Sequence, residues 1–207
     1  MKTIGIFGGS FDPVHFGHIA LARGLRDAFA LDEVRLIPTG EPPHRDALSV
    51  SAEQRLEWVE QALAGESGLV ADDREVRRAG LCYTIDTLGE IQQENPQALL
   101  VWLIGGDSFF NLNKWRRWRE LLDAGHLVVA ARPGIDLAAL PQEIAAEYAV
   151  RAVSASPGSL GKGRISVLPM PLLPFSSTDI RGKLAKGEDV STLTPVAAQL
   201  RGAGYYR

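Results

Sequence analysis

The stretch GIFGGSFDPVHFGH, from Gly5 to His18, contains residue types that could do chemistry on a phosphate group. Gly8 and Gly9 have no Cβ atom, so their backbone N–H groups can approach a ligand closely. A helix that starts beside them would favour an anionic group at its N-terminus. His15 and His18 lie on nearly one side of that helix start, where their N–H groups could contact phosphate oxygens that gain charge in a transition state. The stretch therefore predicts a phosphate-binding site.

The residues alone leave other interpretations open. The stretch matches neither the dinucleotide pattern G-x-G-x-x-G nor the Walker A pattern G-x-x-x-x-G-K-[ST], and a histidine pair at this spacing could lie on the surface or in the core. Zinc binding is another alternative, but Cys82, His44 and His126 offer no tight ligand spacing. A second glycine-rich segment, SLGKGR at 159–164, has no preceding strand pattern, which favours a mobile surface loop without a ligand.

The elements that would position the histidines follow from hydrophobic patterns. Short apolar runs alternate with helical patterns: KTIGIFG with GHIALARGLRDAFA, EVRLIP with SAEQRLEWVEQALA, LLVWLIGG with DSFFNLNKWRRWRELLDA, and HLVVAAR with LAALPQEIAAEYA. Strands that are buried on both faces read in this way, and the alternation is typical of βαβ units. The sequence predicts one α/β domain over residues 1–207, with a single doubly wound parallel sheet of Rossmann-like type and a ligand beyond the carboxyl ends of its strands.

Three helix boundaries can also be predicted. The first helix should begin near Phe16 or Gly17, directly after the loop GGSFDPVH. Ser51 and Gln54 stand in capping-box register, which predicts the start of the second helix. After a further strand, ISVLPM, the segment SSTDIRGKLAKG predicts a short capped helix that ends at Gly187.

Composition narrows the functional classes. The 207 residues are 45% hydrophobic and 23% charged, which is near the average of globular proteins and argues against disorder. Apolar runs such as ALLVWLIGG are shorter than the roughly 20 residues of a membrane helix, so no membrane span is expected. The net charge of −3 gives no basic field for a nucleic acid. The single cysteine, Cys82, cannot form an internal disulfide, and no leader pattern is visible, so we expect a cytoplasmic protein.

Two segments carry a resemblance to a known superfamily. The first, GSFDPVHFGH, resembles the G-x-F-D-P-x-H-x-G-H signature of nucleotidyltransferases, and SSTDIR, from Ser176 to Arg181, is similar to their second signature. Class I aminoacyl-tRNA synthetases share H-x-G-H, but they are usually much longer and use a lysine-rich second motif that is missing here. The resemblance implies that His15, His18 and Arg181 are catalytic. It also implies ATP contacts from a larger set: Gly8, Gly9, Ser10, Phe11, Gly105, Asp107, Ser176, Ser177 and Thr178.

Segments between the signatures narrow the resemblance. PTGEPPHR (38–45), RRAGLCYTIDTL (77–88), LIGGDSFFNLNKW (103–115), ARPG (131–134) and FSSTDIR occur in the order seen in bacterial nicotinate mononucleotide adenylyltransferases. That family joins ATP to nicotinate mononucleotide with Mg²⁺ and forms nicotinic acid adenine dinucleotide and pyrophosphate in NAD biosynthesis. Phosphopantetheine adenylyltransferases share the signatures, but they are typically shorter and lack the YTIDTL and GGDSFFNLNKW segments.

The resemblance also implies roles around the substrates. Trp115 would stack on the nicotinate ring, with Thr84 and the backbone near Tyr83 and Arg116 as polar contacts. Without the resemblance, the helical spacing of Trp115 and Trp118 predicts that both pack in the core.

At the sugar, Asp107 would bind a ribose hydroxyl or cap the next helix, and Gly105 and Gly106 would let the sugar approach. His44 and Arg45 stand in a proline-rich loop that would close over the substrate phosphate. The family often has Lys where Arg45 stands, which changes the geometry of that contact.

Competing functions remain at this stage. Another superfamily member could use nicotinamide mononucleotide, phosphopantetheine or a polyol phosphate as the acceptor. A regulatory module could bind the nucleotide without turnover, although the presence of His15, His18 and Arg181 argues against this. The oligomeric state is open between monomer and dimer.

Overall fold

The computed structural model describes residues 1–41, 50–131, 135–169 and 175–206. Within these ranges lie seven strands: β1 (Thr3–Gly9), β2 (Glu33–Pro38), β3 (Leu69–Ala71), β4 (Leu99–Gly105), β5 (His126–Ala131), β6 (Ala152–Val153) and β7 (Ile165–Pro169). They form one sheet in the order β3-β2-β1-β4-β5-β7-β6, and every neighbouring pair is parallel. The prediction of a doubly wound parallel sheet is confirmed.

The helices cover both faces of this sheet. They are α1 (Phe16–Phe29), α2 (Ala52–Ala62), α3 (Arg74–Arg77), α4 (Thr84–Glu94), α5 (Gly106–Phe110), α6 (Trp118–Ala124), α7 (Gln142–Arg151), α8 (Ser177–Ala185) and α9 (Ala197–Ala203). Short 3-10 turns span Leu112–Lys114, Leu137–Ala139 and Pro157–Ser159. Among the described helices, none combines the length and the hydropathy needed to cross a membrane.

Strand β4 shows why a continuous apolar run marks a central strand. Leu99, Val101 and Leu103 pack in the core on the side of α1, α2, α8 and α9. Their alternating neighbours, Leu100 and Trp102, pack in the second core with α4, α6 and α7. A large apolar side chain contributes roughly 1.5–3 kcal/mol when it is fully buried. Both cores therefore fix the position of this strand and of the loop that follows it.

The strand order places a crevice next to β1. The chain proceeds from β1 outward to β2 and β3, then returns to form β4 on the other side of β1. The loops after β1 and β4 therefore leave the sheet beside each other, with Phe7 paired to Leu103 close to the strand ends. Doubly wound sheets bind ligands at such a switch point, which is the location that the sequence predicts.

The predicted helix boundaries agree with the structure in most details. Helix α1 begins at Phe16. Ser51 caps α2 by accepting a hydrogen bond from the N–H of Gln54 (3.3 Å). The side chain of Gln54, however, donates to Glu57 and does not return to Ser51, so only half of the predicted capping box is formed. Gly187 follows α8 at φ +71°, in the left-handed region that favours glycine.

The segment DSFFNLNKWRRWRELLDA is not the single helix that its pattern predicts. Helix α5 ends at Phe110, a 3-10 turn follows, and α6 begins only at Trp118. Trp115 is extended (φ −80°, ψ 147°) and Arg117 is left-handed (φ 54°, ψ 40°). The break separates the two tryptophans, because Trp118 packs in the core whereas Trp115 is only half-buried. The interpretation of both as one helical stripe is therefore wrong.

Candidate active site

The loop between β1 and α1, residues 10–15, together with His18 forms what we call the histidine loop. The backbone N–H of His15 donates to Nδ1 of His18 (3.2 Å), and the two rings stack with their centroids 3.7 Å apart. Because Nδ1 of His18 accepts this bond, the proton of the neutral ring must be on Nε2. His18 therefore keeps one ring N–H as a donor.

Both histidines are neutral at physiological pH. Burial lowers the pKa of His15 to about 4. Burial, and repulsion from His15 when that ring is protonated, hold the pKa of His18 well below its usual value. Nδ1 of His15 is buried and has no hydrogen-bond partner in the described part of the chain. A buried polar atom without a partner is uncommon and indicates a ligand or a water molecule, so this ring can take part in binding.

Phe11 supports the histidines from inside. Its side chain is fully buried, and its ring lies 4.9 Å from that of His18 in an edge-on arrangement. This packing gives the Phe11 side chain a supporting position and leaves only its backbone near a ligand. The contact between Phe11 and ATP stays a prediction, and the burial of the side chain favours a contact through the backbone.

The SSTDIR segment docks directly on the histidine loop. Ser177 Oγ donates to the carbonyl of Pro13 (3.0 Å), and Arg181 Nη1 donates to the carbonyl of Asp12 (2.7 Å). Arg181 Nη2 also donates to Thr178 Oγ1 (3.1 Å). The fold therefore brings together two signatures that lie far apart in the sequence.

Ser176 caps helix α8, and its contact with ATP stays a prediction. Its Oγ accepts from the N–H of Asp179 (3.2 Å), and its own N–H donates to Asp179 Oδ2 (2.8 Å). This reciprocal pair is a capping box at the start of α8. Because the cap engages both groups, Ser176 orders the start of the helix.

A pocket of about 320 Å³ lies beside the histidine loop. A Cβ atom at Gly8 would meet no protein atom within 4 Å, so the missing side chain leaves space in this pocket. Seven of the predicted residues line it: Gly8, Gly9, Ser10, Tyr83, Thr84, Trp115 and Arg116. The predicted phosphate loop and the predicted ring site therefore share one wall.

The N-terminus of α4 faces this pocket. Tyr83 is the N-cap residue and Thr84 the first residue of the helix, and both line the pocket. The first N–H groups of a helix have no partner within it, and they favour a negative charge. The Arg116 guanidinium lies 4.5 Å from the centroid of the Tyr83 ring. Arg116 forms no ion pair with a carboxylate of the described residues. This end of the pocket suits an anionic group such as a carboxylate.

The loop after β4 leads directly into α5, and its contacts with a sugar stay predictions. Asp107 does not cap α5, because Gly105 is the N-cap residue and Asp107 lies exposed in the first turn. A Cβ atom at Gly106 would lie 2.8 Å from Ile135 Cδ1, so a larger residue there would have to displace the end of the Ile135 side chain. Gly105 opens to free space and can still admit a sugar.

Sequence reasoning missed Glu75. This side chain lines the pocket with only 7% of its surface exposed, and Thr87 Oγ1 donates to its Oε1 (2.6 Å). Burial raises the pKa of Glu75. The glycine at Gly40 allows this packing, because a Cβ atom there would lie 2.1 Å from the Glu75 carbonyl oxygen. No spacing in the sequence connects Glu75 to the pocket, since the contact depends on the four-residue helix α3.

Some of the predicted site residues lie outside the pocket or outside the described part of the chain. His44, Arg45 and most of ARPG lie outside the described residues. Cys82 is buried, and its Sγ donates a hydrogen bond to the carbonyl of Glu75 (3.5 Å). Over residues 1–41, 50–131, 135–169 and 175–206, no three His, Cys, Asp or Glu side chains come together in a way that could hold a metal ion. The zinc alternative therefore gains no support.

Comparisons with known proteins agree with this geometry. The cytidylyltransferase-like family matches residues 6–183. A Laribacter hongkongensis protein named "Probable nicotinate-nucleotide adenylyltransferase" is 49% identical over 188 residues, which cover 90% of this chain and 86% of the relative. A Chromobacterium violaceum protein of the same name is 46% identical over 208 residues, covering 99% and 98%.

A solved structure shows the same fold. The Plasmodium falciparum nicotinic acid mononucleotide adenylyltransferase complexed with NaAD has a TM-score of 0.76 and 16% identity, covering 100% of this chain and 98% of that one. The match to residues 6–183 and the relatives that cover nearly all of the chain confirm the resemblance found in the sequence. The chain belongs to the cytidylyltransferase-like family and, within it, to the nicotinate-nucleotide adenylyltransferases.

Proposed function

We propose that this protein transfers the adenylyl group of ATP to nicotinate mononucleotide, forming nicotinic acid adenine dinucleotide and pyrophosphate in NAD biosynthesis. One observation carries the proposal beyond family membership. Gly8, Gly9 and Ser10 belong to the strand end and loop that lead to the two histidines, and they also line the pocket that holds Trp115 and Arg116. A phosphate bound at the loop and a ring bound in the pocket would therefore be neighbours.

The reaction needs no nucleophile from the protein. A 5′-phosphate oxygen of nicotinate mononucleotide attacks the α-phosphorus of ATP, and the bond from that phosphorus to the bridging oxygen of pyrophosphate breaks. Catalysis then consists of positioning and charge stabilisation. His18 donates its Nε2–H to the α-phosphoryl oxygens as their charge grows, and His15 contacts the neighbouring phosphates. Both act as neutral donors, in keeping with their lowered pKa values.

Arg181 holds the departing pyrophosphate. A guanidinium has several N–H donors, and two of them already bond to Asp12 and Thr178. These bonds orient the group, and its remaining N–H donors bond to no other described residue. Ser177 and Thr178 add donors at the N-terminus of α8, which favours phosphate oxygens.

The pocket selects nicotinate. Trp115 stacks on the flat ring, and the N–H groups at Tyr83 and Thr84 take the ring carboxylate. Arg116 adds a positive charge at the same end, because its guanidinium is held against Tyr83 without a carboxylate partner among the described residues. Nicotinamide has no negative charge to satisfy this site.

Magnesium enters with ATP in this proposal. Mg²⁺ in phosphoryl-transfer enzymes is held mainly by substrate phosphates and water, with one or two carboxylates. The described residues offer no cluster of metal-binding side chains, so we assign the ion no protein ligand. When bound, it neutralises part of the phosphate charge.

We further propose one domain over residues 1–207 that works in the cytoplasm. A reducing compartment suits Cys82, which is buried and free.

The direct test is pyrophosphate release from ATP and Mg²⁺ with nicotinate mononucleotide, with the dinucleotide product identified by mass. We expect turnover, and we expect His18→Ala to lower kcat on the order of 10²-fold or more while the protein remains folded. ATP binding without turnover would favour a regulatory module instead. A folded His18→Ala variant with normal kcat would contradict the role of His18.

A further inference from the structure

The last described residues of the chain contact the histidine loop. Tyr205 and Tyr206 follow α9, and both rings pack near Trp58 on α2, with centroid distances of 5.2 and 6.5 Å. Each tyrosine hydroxyl has its own partner. Tyr205 donates to Gln54 Oε1 on the same helix (3.2 Å), whereas Tyr206 donates to Oδ1 of Asp12. Only the second bond reaches the histidine loop.

Asp12 connects three separate parts of the fold. Its backbone carbonyl accepts from Arg181, and its carboxylate accepts from Tyr206. The side chain is only 4% exposed, so water cannot readily replace a lost partner. His15, whose backbone N–H holds His18, follows three residues later. A shift of Asp12 would therefore be passed to both histidines.

A buried arginine lies beneath the same loop. Arg55 is 1% exposed, and it donates to the carbonyl oxygens of Ser10 (2.6 Å) and Thr39 (2.6 Å), at the ends of β1 and β2. Burial lowers the pKa of Arg55, an effect that the charge of Asp12 opposes. Asp12 thus supplies the negative charge that a buried guanidinium requires.

Tyr206 is a proton donor at every physiological pH. Burial, followed by the hydrogen bond to Asp12, raises the pKa of its hydroxyl. The Asp12 carboxylate is therefore held between a neutral donor from the C-terminal segment and the positive field of Arg55.

We propose that Tyr206 is a positioning residue for adenylyl transfer, which fixes the Asp12 carboxylate and thereby holds the histidine loop against α2. The inference rests on the proposed function. Tyr206 is not among the residues that line the ring pocket. Its loss should therefore leave binding of nicotinate mononucleotide almost unchanged and act on the chemical step, since small displacements of catalytic donors are costly.

The neighbouring tyrosine provides a matched control. Tyr206→Phe and Tyr205→Phe each keep the ring against Trp58 and remove one hydroxyl. We expect Tyr206→Phe to lower kcat about tenfold, with KM for nicotinate mononucleotide within about twofold of the original protein. Tyr205→Phe should keep the original kcat. Tyr206→Phe should lose more thermal stability than Tyr205→Phe, because it removes a donor from the buried Asp12 carboxylate.

Amide hydrogen exchange gives a readout that is independent of activity. Residues 8–15 should exchange faster in Tyr206→Phe than in Tyr205→Phe. Equal kcat values in the two variants, or equal exchange in this loop, would overturn the inference. Absence of turnover in the unchanged protein would contradict the proposed function instead, and the exchange comparison would still decide the role of Tyr206.

Discussion

Two neighbouring arginines illustrate how contacts decide the use of a side chain. Arg117 is exposed and bonds to both carboxylate oxygens of Glu120 (2.9 and 2.6 Å). Arg116 lines the pocket, contacts the face of Tyr83, and has no carboxylate partner among the residues described. Arg117 therefore forms a surface ion pair, whereas the charge of Arg116 can pair with an anionic ligand in the pocket. This contrast makes the pair suitable for testing selectivity.

We predict that Arg116→Met lowers kcat/KM for nicotinate mononucleotide about tenfold, equivalent to about 1.4 kcal/mol, because the ring carboxylate loses its counter-charge. Turnover of nicotinamide mononucleotide should change less than about twofold, since its neutral carboxamide offers no negative charge to Arg116. Arg117→Met is the control and should leave both values unchanged. Steady-state kinetics with the two acceptors measure the effect, and an equal loss for both acceptors would contradict it.

At the scale of elements, the break between α5 and α6 creates the ring site. A continuous helix would have placed Trp115 and Trp118 on one stripe, as the hydrophobic pattern predicts. The extended backbone at Trp115 and the left-handed one at Arg117 instead turn Trp115 towards the pocket and Trp118 into the core. Spacing cannot reveal such a break, because it contains neither proline nor glycine.

The two tryptophans should therefore respond differently to truncation. We expect Trp115→Ala to raise KM for nicotinate mononucleotide about tenfold, with little loss of stability, because it removes the stacking face. Trp118→Ala should lower the free energy of unfolding by about 3–5 kcal/mol, because it opens a cavity in the core. Denaturant unfolding and steady-state kinetics of both variants separate these effects. A larger stability loss in Trp115→Ala than in Trp118→Ala would contradict the assignment.

Hydrogen bonds to a buried histidine hold the Ser- and Gly-rich segment SASPGSLGKGR, residues 154–164, which follows β6. His126, at the start of β5, is fully buried; its Nδ1 accepts from the N–H of Gly161 (3.2 Å) and its Nε2 bonds to Ser166 Oγ (2.9 Å). Ser166 in turn donates to the carbonyl of Ser154 (3.1 Å). The segment is therefore tied to the sheet through a neutral imidazole and does not line the ring pocket.

This arrangement predicts a pH dependence of stability. Burial lowers the pKa of His126 to about 4, against 6.5 for the free group. Between these values the unfolded chain binds a proton that the folded chain does not, so stability falls as pH decreases from 6.5 towards 4, on the order of 3 kcal/mol for this group. His126→Gln should remove that part of the pH dependence. The test is the free energy of unfolding of the original protein and of His126→Gln, measured from pH 7 to pH 4. Equal losses of stability in the two proteins would contradict the prediction.

For the whole molecule, the sequence predicts the architecture and the two signatures but not all of their supports. The alternating apolar runs and helical patterns lie within short stretches of sequence, and so do the glycines and histidines of the first loop. The sequence therefore predicts the architecture and the first signature directly. Three residues reach the site only through packing between distant parts of the sequence: Glu75, Arg55 and Tyr206. No spacing in the sequence indicates that they lie near the signatures. The short strand β3 and helix α9 were also missed, because a three-residue strand and a seven-residue helix give little periodic signal. The single-domain organisation stays a prediction.

The most direct test of the account compares acceptors at saturating ATP and Mg²⁺. Pyrophosphate release would be followed with nicotinate mononucleotide, nicotinamide mononucleotide and phosphopantetheine in parallel, and kcat/KM determined for each. The histidine loop lies beside a pocket with a helix N-terminus and Arg116, which pairs with no described carboxylate, at one end. This arrangement predicts a strong preference for nicotinate mononucleotide. Equal or better turnover with nicotinamide mononucleotide, which has no ring carboxylate, or with phosphopantetheine, which has no ring, would contradict the account. It would show that the pocket does not recognise a ring carboxylate.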